Sequence, residues 1–185
     1  MISDESLYIQ CLQGDEAALE QLVERYQEAL LLFIHSIVRD MDDAEELMLD
    51  TFARMLISKA YFSGRSSFKT WLFAIGRNLS LKHLRRKRLF LCRRSWEPPP
   101  LAGSDSPESD LLRKERDRCL YYAISQLNAN YRQTLFLLYF ENVSYAQAAQ
   151  IMQKSEKQIA NLAYRSKRAL KHLLEERGFS YADYS

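Results

Sequence analysis

The chain has 185 residues, of which 47% are apolar and 12% aromatic, with 5 Gly, 4 Pro and a formal net charge of +2. This composition excludes a disordered chain, and so little glycine and proline favours long helices over turn-rich β structure. The longest apolar run, Ala29 to Ile34, is far too short for a bilayer, and no charged-then-apolar signal opens the chain. No membrane insertion and a soluble, cytoplasmic location are therefore expected.

The small net charge conceals a strong polarity. Residues 1–50 carry thirteen acids and only Arg25 and Arg39 as strong bases. From Thr51 to Trp96 there are twelve Lys and Arg, no Asp or Glu, and an interleaving of Phe62, Phe68, Trp71, Phe73 and Phe90. A basic stretch rich in rings suits a nucleic-acid backbone and its bases, whereas the acidic block would repel nucleic acid and should face another partner. Cys11, Cys92 and Cys119 are unpaired in spacing, and His35, His83 and His172 stand near no other ligand, so free thiols and no metal or cofactor are expected.

In chain order, Gly14 and Asp15 break a short opening helix, and Asp15 caps a long one running to about Val38. In it Leu19, Leu22, Val23, Tyr26, Leu30, Phe33, Ile34 and Ile37 form one apolar stripe. Asp40 to Asp43 reads as a turn. A third helix follows, with Leu47, Met48, Thr51, Phe52, Met55 and Leu56 inward. Tyr61 to Ser67 reads as a loop, and a fourth helix starts near Ser67, buries Phe68, Leu72, Ile75, Leu79 and Leu84, and runs into Arg85, Arg86, Lys87 and Arg88. From about Arg93 to Ser109, three consecutive prolines followed by small polar residues make a linker.

Helical spacing resumes near Asp110. Leu120, Ala123, Ile124 and Leu127 form one stripe, and Leu135, Leu138 and Tyr139 another. Two capping boxes come next: Ser144 with Gln147, and Ser155 with Gln158, separated by the turn residues Gln153 and Lys154. Such a short turn forces a steep crossing, and Ala148 and Ala149 supply the small contact surface. This is a helix-turn-helix whose second helix would read nucleic acid. With Ile159, Leu162, Ala163, Leu170 and Leu173 buried, its free face holds Lys157, Gln158, Asn161, Tyr164, Arg165, Arg168 and Lys171, donors for phosphates and base edges.

In the first half, the loop residues Phe62, Ser63, Gly64 and Arg65 suit an unpaired base, and Arg77, Asn78, Lys82, Arg85 and Arg86 should track the strand. Trp71 reads as core. Asp42, Asp43, Glu45, Glu46 and Asp50 have no distant acid or histidine to complete a two-cation shell. They therefore read as an interaction face beside Leu47, Leu49 and Phe52, with no catalytic residue.

Three stretches resemble the extracytoplasmic-function class of bacterial RNA polymerase sigma factors. They are Gly14 to Leu19 with Leu22 to Tyr26; Asp43 to Phe52 with Phe68 to Asn78 and Leu84 to Arg86; and Leu127 to Arg132 with Val143 to Ala149 and Ile159 to Leu170. The chain departs from the family's usual residues at Leu49, Lys82, Gln158 and Leu162, among others. The resemblance implies an all-α fold of two small helical domains, an N-terminal bundle and a C-terminal helix-turn-helix domain joined by a flexible linker. It implies a sigma region 2 domain over residues 1–92, a linker over 93–109, a region 4 domain over 110–178 and a tail over 179–185.

It further implies a transcription initiation factor that is not an enzyme and takes no small-molecule substrate. Its partners would be core RNA polymerase through both large subunits, promoter DNA and an anti-sigma factor. Asp43, Glu46, Leu47, Leu49, Asp50 and Phe52 would then meet the polymerase. Phe62 to Arg65, Arg77, Asn78, Lys82, Arg85 and Arg86 would hold the −10 single strand. Ser155, Lys157, Gln158, Asn161, Tyr164, Arg165 and Arg168 would read the −35 duplex. The alternatives are a stand-alone helix-turn-helix regulator, a nucleic-acid hydrolase and a protein-only adaptor of sigma-like shape.

Overall fold

Among the described residues, four helices make the first module. The structure, a computed structural model, describes residues 2–57, 62, 64–91 and 120–176, and of residues 90 and 91 the backbone alone. The expected linker, the start of the second module at Asp110, the tail and Ser63 lie outside the described residues.

Helix α1 (Asp4–Leu12) is capped by the Ser3 hydroxyl, which accepts from the Ser6 N–H. Gly14 then takes a φ of +91°, a left-handed conformation that glycine adopts without steric cost. Asp15 caps α2 (Glu16–Val38), accepting from the N–H groups of Ala17 and Ala18 at 3.0 and 3.2 Å. Helix α3 (Met41–Ile57) begins one residue into the expected turn, with the Asp40 carboxylate accepting from the Asp43 N–H at 3.1 Å. The Ser67 hydroxyl accepts from the Thr70 N–H at the start of α4 (Phe68–Leu91).

The stripe of α2 packs as its spacing implies. Leu22, Leu30, Phe33 and Ile34 are fully buried against Met55 of α3 and Phe68, Leu72 and Phe73 of α4. Each such side chain contributes roughly 1.5–3 kcal/mol relative to exposure. Gly76 marks where α4 comes closest to its neighbours: a Cβ there would lie 3.0 Å from Leu30 Cδ1 and 3.4 Å from Thr51 Oγ1.

The second module comprises α5 (described over residues 120–126), α6 (Ala129–Leu135), a π-helical turn (Phe136–Phe140), α7 (Tyr145–Met152) and α8 (Glu156–Glu175). Asn128 caps α6, accepting from the Tyr131 N–H at 3.0 Å. Both capping boxes form, and Gln153 takes the left-handed conformation that turns α7 into α8. The expected stripe of Leu135, Leu138 and Tyr139 holds at Leu135, which is buried, and at Leu138, which packs against the core, but not at Tyr139. The π turn inserts an extra residue and rotates the register, so Leu137 is fully buried while Tyr139 is 44% exposed. Tyr121 and Tyr122 of α5 are exposed as well.

The two modules share one core. Leu137, Val143, Ala148, Ala149, Ile151 and Met152 belong to the same buried cluster as the α2 and α4 residues. Phe33 bridges them, its ring 5.2 Å from Phe73 in its own module and 5.8 Å from Phe136 in the other.

Candidate nucleic-acid interface

Helix α8 presents an open polar face. Ile159, Ala163 and Ser166 are buried on one side, and Lys157, Gln158, Asn161, Tyr164, Arg165 and Arg168 are exposed on the other. Two members of this face are already engaged. The Ser155 hydroxyl accepts from the Gln158 N–H at 3.2 Å, and Gln158 Oε1 accepts from the Ser155 N–H at 2.8 Å. A bidentate adenine contact needs both the oxygen and the amide NH₂ of a glutamine. Gln158 therefore has its Nε2 donors to offer, and Asn161 keeps both functions.

On α4, Asn78, Lys82, Arg85 and Arg86 are exposed and recur at i, i+4, i+7 and i+8, which is one helical stripe. Arg77 stands one residue, about 100° of helical rotation, off that stripe. It is 7% exposed, and its Nε donates to Gln133 Oε1 of α6 at 2.8 Å. Burial pushes its guanidinium below the ordinary arginine range. Asn78 is also engaged across the modules, its Oδ1 accepting from Gln153 Nε2 at 3.2 Å. As placed here, Arg77 faces the second module instead of solvent.

The loop before α4 is partly open. Gly64 is exposed at a φ of +68° and Arg65 is exposed beside it. Phe62 is half-buried: its ring meets Tyr8, Phe68 and Trp71 at 6.2, 6.1 and 5.8 Å. Trp71 lies in the same aromatic cluster, partly buried as a core residue would be.

On α3 the acidic face divides into two. Glu46, Leu49 and Asp50 are exposed, Leu49 by 64%. Leu47 and Phe52 are 5% and 6% exposed and support that face from the core instead of presenting it. Asp43 accepts from Lys87 Nζ at 2.7 Å, with His83 Nε2 3.1 Å away, which ties α3 to α4. Burial works against the Asp43 charge, but the Lys87 hydrogen bond and nearby His83 outweigh it and hold the carboxyl below the usual range.

Residues that sequence reasoning did not assign join the modules. The Arg132 Nε donates at 2.8 Å to the Ser36 carbonyl, one of the carbonyls left without an intrahelical partner at the end of α2. Lys69 Nζ pairs with Glu141 Oε2 at 2.8 Å, and Gln147 Nε2 donates to Ser67 Oγ. The available signal was the polar run Arg132, Gln133, Thr134 immediately before the apolar run Leu135 to Leu138, and all three are buried.

An all-α chain of two modules, one with an acid-free cationic helix and the other with a helix-turn-helix whose second helix has an exposed polar face, has the architecture of a DNA-binding protein, with a separate acidic face on α3. Residues 22–90 match the family model Sigma-70 region 2 and residues 117–170 match Sigma-70, region 4. The chain is similar to the RNA polymerase sigma-H factor of Pseudomonas aeruginosa, 28% identical over 93% of this chain and 94% of that one. It is also similar to the ECF RNA polymerase sigma factor SigX of Bacillus subtilis, 25% identical over 86% and 85%. The sigma factor RpoE of Bartonella quintana, solved with the anti-sigma factor NepR, has the same fold, with a TM-score of 0.68 at 24% identity over 84% of this chain and 96% of that one. The chain belongs to the sigma-70 family, as a promoter-recognising RNA polymerase sigma factor of the extracytoplasmic-function class.

Proposed function

We propose that the first module binds core polymerase through Glu46, Leu49 and Asp50 of α3, with Asp43 at the edge of that face. It opens the −10 element by holding the non-template strand along Asn78, Lys82, Arg85 and Arg86, with Arg65 and the Phe62–Gly64 loop receiving an unpaired base. The second module reads the −35 duplex with Lys157, Asn161 and the donors of Gln158, while Arg165 and Arg168 hold phosphates. The observation that carries this reading is the uninterrupted exposed face of α8 on a capped helix-turn-helix, paired with the acid-free stripe of α4.

The protein is a cytoplasmic initiation factor without catalysis of its own. RpoE of Bartonella quintana was solved with an anti-sigma factor, which supports a partner of that kind for this chain. The domain limits 1–92 and 110–178 carry a direct test: limited proteolysis should cut first between residues 93 and 109. The function is tested by run-off transcription from a genomic library with core polymerase, with and without the protein. Initiation at a defined set of promoters that depends on the protein is expected. Tight binding of the protein alone to a palindromic duplex, with no effect on transcription, would overturn the reading.

A further inference from the structure

Helix α1 carries none of the residues assigned to DNA or polymerase, and it lies before residue 22, where the match to Sigma-70 region 2 begins. Its buried face nonetheless meets the loop that precedes α4 and both of its flanks. The Tyr8 hydroxyl donates to the Met55 carbonyl, in the last described turn of α3, at 3.3 Å. The Tyr8 ring lies 6.2 Å from that of Phe62 within the loop, and 5.6 and 5.2 Å from those of Phe68 and Trp71 in the first turn of α4. We propose that Tyr8 is a positioning residue for capture of the −10 strand, holding Phe62 and, through it, the exposed Gly64 and Arg65 where an unpaired base is received. This rests on the assignment of that loop to the unpaired base.

Phe62, Gly64 and Arg65 stand outside any helix, so no helical ladder fixes them. What holds Phe62 is a set of rings. It meets Tyr8 and Phe68 edge to face, at interplanar angles of 85° and 70°, and Trp71 at 58°. Edge-to-face is a preferred aromatic geometry. Phe68 and Trp71 follow the loop directly and move with α4, so Tyr8 is the one ring of the three that ties Phe62 to a distant part of the chain.

Tyr8 is itself well anchored. It is 3% exposed, and α1 is fastened to α2 at its first turn, where the Asp4 carboxylate accepts from the Tyr26 hydroxyl and from Arg25 Nη1. Tyr26 closes the circuit, its ring 5.7 Å from Phe68. The place suits a tyrosine, since the ring lies among other rings while the hydroxyl has a carbonyl to donate to. A loop that is loose in the free protein must be ordered when it takes a base, and that ordering weakens binding. A loop braced by Tyr8 is ordered in folding instead. A side chain that only filled the core would lower stability without changing capture by the folded molecule.

The test uses the full-length chain and two readings. The rate of tryptic cleavage after Arg65, relative to that after Arg54 within α3, reads the order of the loop. Anisotropy of a fluorescein-labelled oligo-dT 12-mer with the protein assembled on core polymerase, compared with core polymerase alone, reads capture. Tyr8→Leu removes the ring, whereas Tyr8→Phe keeps it and loses only the hydroxyl. Tyr8→Leu should speed cleavage after Arg65 and weaken oligo-dT binding, by about tenfold if the released loop is competent in one molecule in ten. Tyr8→Phe should stay close to wild type in both. Because Tyr8 acts through Phe62, the double variant Tyr8→Leu, Phe62→Ala should bind no more weakly than Phe62→Ala alone. Should Tyr8→Leu fail to fold by circular dichroism, Tyr8→Met, which fills the site with a flexible apolar chain, takes its place. Unchanged cleavage after Arg65 in the folded variant overturns the brace, and additive losses in the double variant overturn the route through Phe62. Faster cleavage together with wild-type oligo-dT binding by Phe62→Ala overturns the role of the loop in capture, and that of Tyr8 with it, while the brace itself stands.

Discussion

Helices α8 and α4 carry similar chemistry, amides followed by arginines along one face, yet they stand in opposite states. On α8 the polar face is exposed along its length, because its buried side, Ile159 and Ala163, finishes its packing inside the second module. On α4 the packing is unfinished within the first module: one flank is taken up by α7, and Arg77 and Asn78 go with it. The two helices differ in which of their faces the other module covers. On α4 the stripe of Lys82, Arg85 and Arg86 stays exposed, and only the flank that carries Arg77 is covered.

The strongest way to break this comparison is to remove the ring that joins the modules. Phe33→Ala should cost about 3–5 kcal/mol, the range for emptying a buried aromatic site. Because Phe33 meets both Phe73 and Phe136, urea denaturation followed by probes in each module should show both transitions moving. Movement of the first alone would mean that the modules are energetically independent.

Base reading on α8 comes next. Asn161→Ala should change −35 sequence preference by about 1–3 kcal/mol. Gln158→Ala should cost stability as well, since it removes half of a capping box worth about 1 kcal/mol. A binding-site selection with each variant checks this, and preferences unchanged in both would place the reading surface elsewhere. Arg165→Ala should weaken all duplexes alike and lower the slope of log affinity against log salt by about one. The same substitution should leave oligo-dT binding untouched, which sharpens the division between the helices.

The smallest effect concerns the tie between α3 and α4. The Asp43 carboxyl is held below its ordinary value in the folded chain, so folding favours its charged form. Its contribution is complete above the unfolded carboxylate pKa of about 3.9 and is lost as pH falls through the lower folded value. Asp43→Asn should therefore narrow the stability difference between pH 7 and pH 3, read by thermal melts at the two pH values. An identical difference in wild type and variant would show that the tie contributes nothing.

Much of the molecule was legible in the residues because the signals are local. The Asp15 cap, the two capping boxes, the α2 stripe and the polar face of α8 each depend on neighbours within one or two helical turns, and each formed as its spacing implies. Leu47 and Phe52 lie in the core, as the inward stripe of α3 implies, so their assignment to the outer face as well did not follow from that periodicity. The π turn at Phe136–Phe140 was missed because it changes the periodicity on which the stripe was read.

What the sequence determined by itself is thus the helices, their caps, the split of charge and the family they belong to. What only the tertiary structure decided is which face of each helix is free. Arg77 sits in a basic, amphipathic run and Arg132 in a short polar one, and nothing local marks either as buried. Their burial depends on Gln133 and the Ser36 carbonyl arriving from more than fifty residues away. Such a contact carries no local periodicity, since it arises only when two complete modules present matching apolar surfaces, and the polar groups caught at that seam must then find each other.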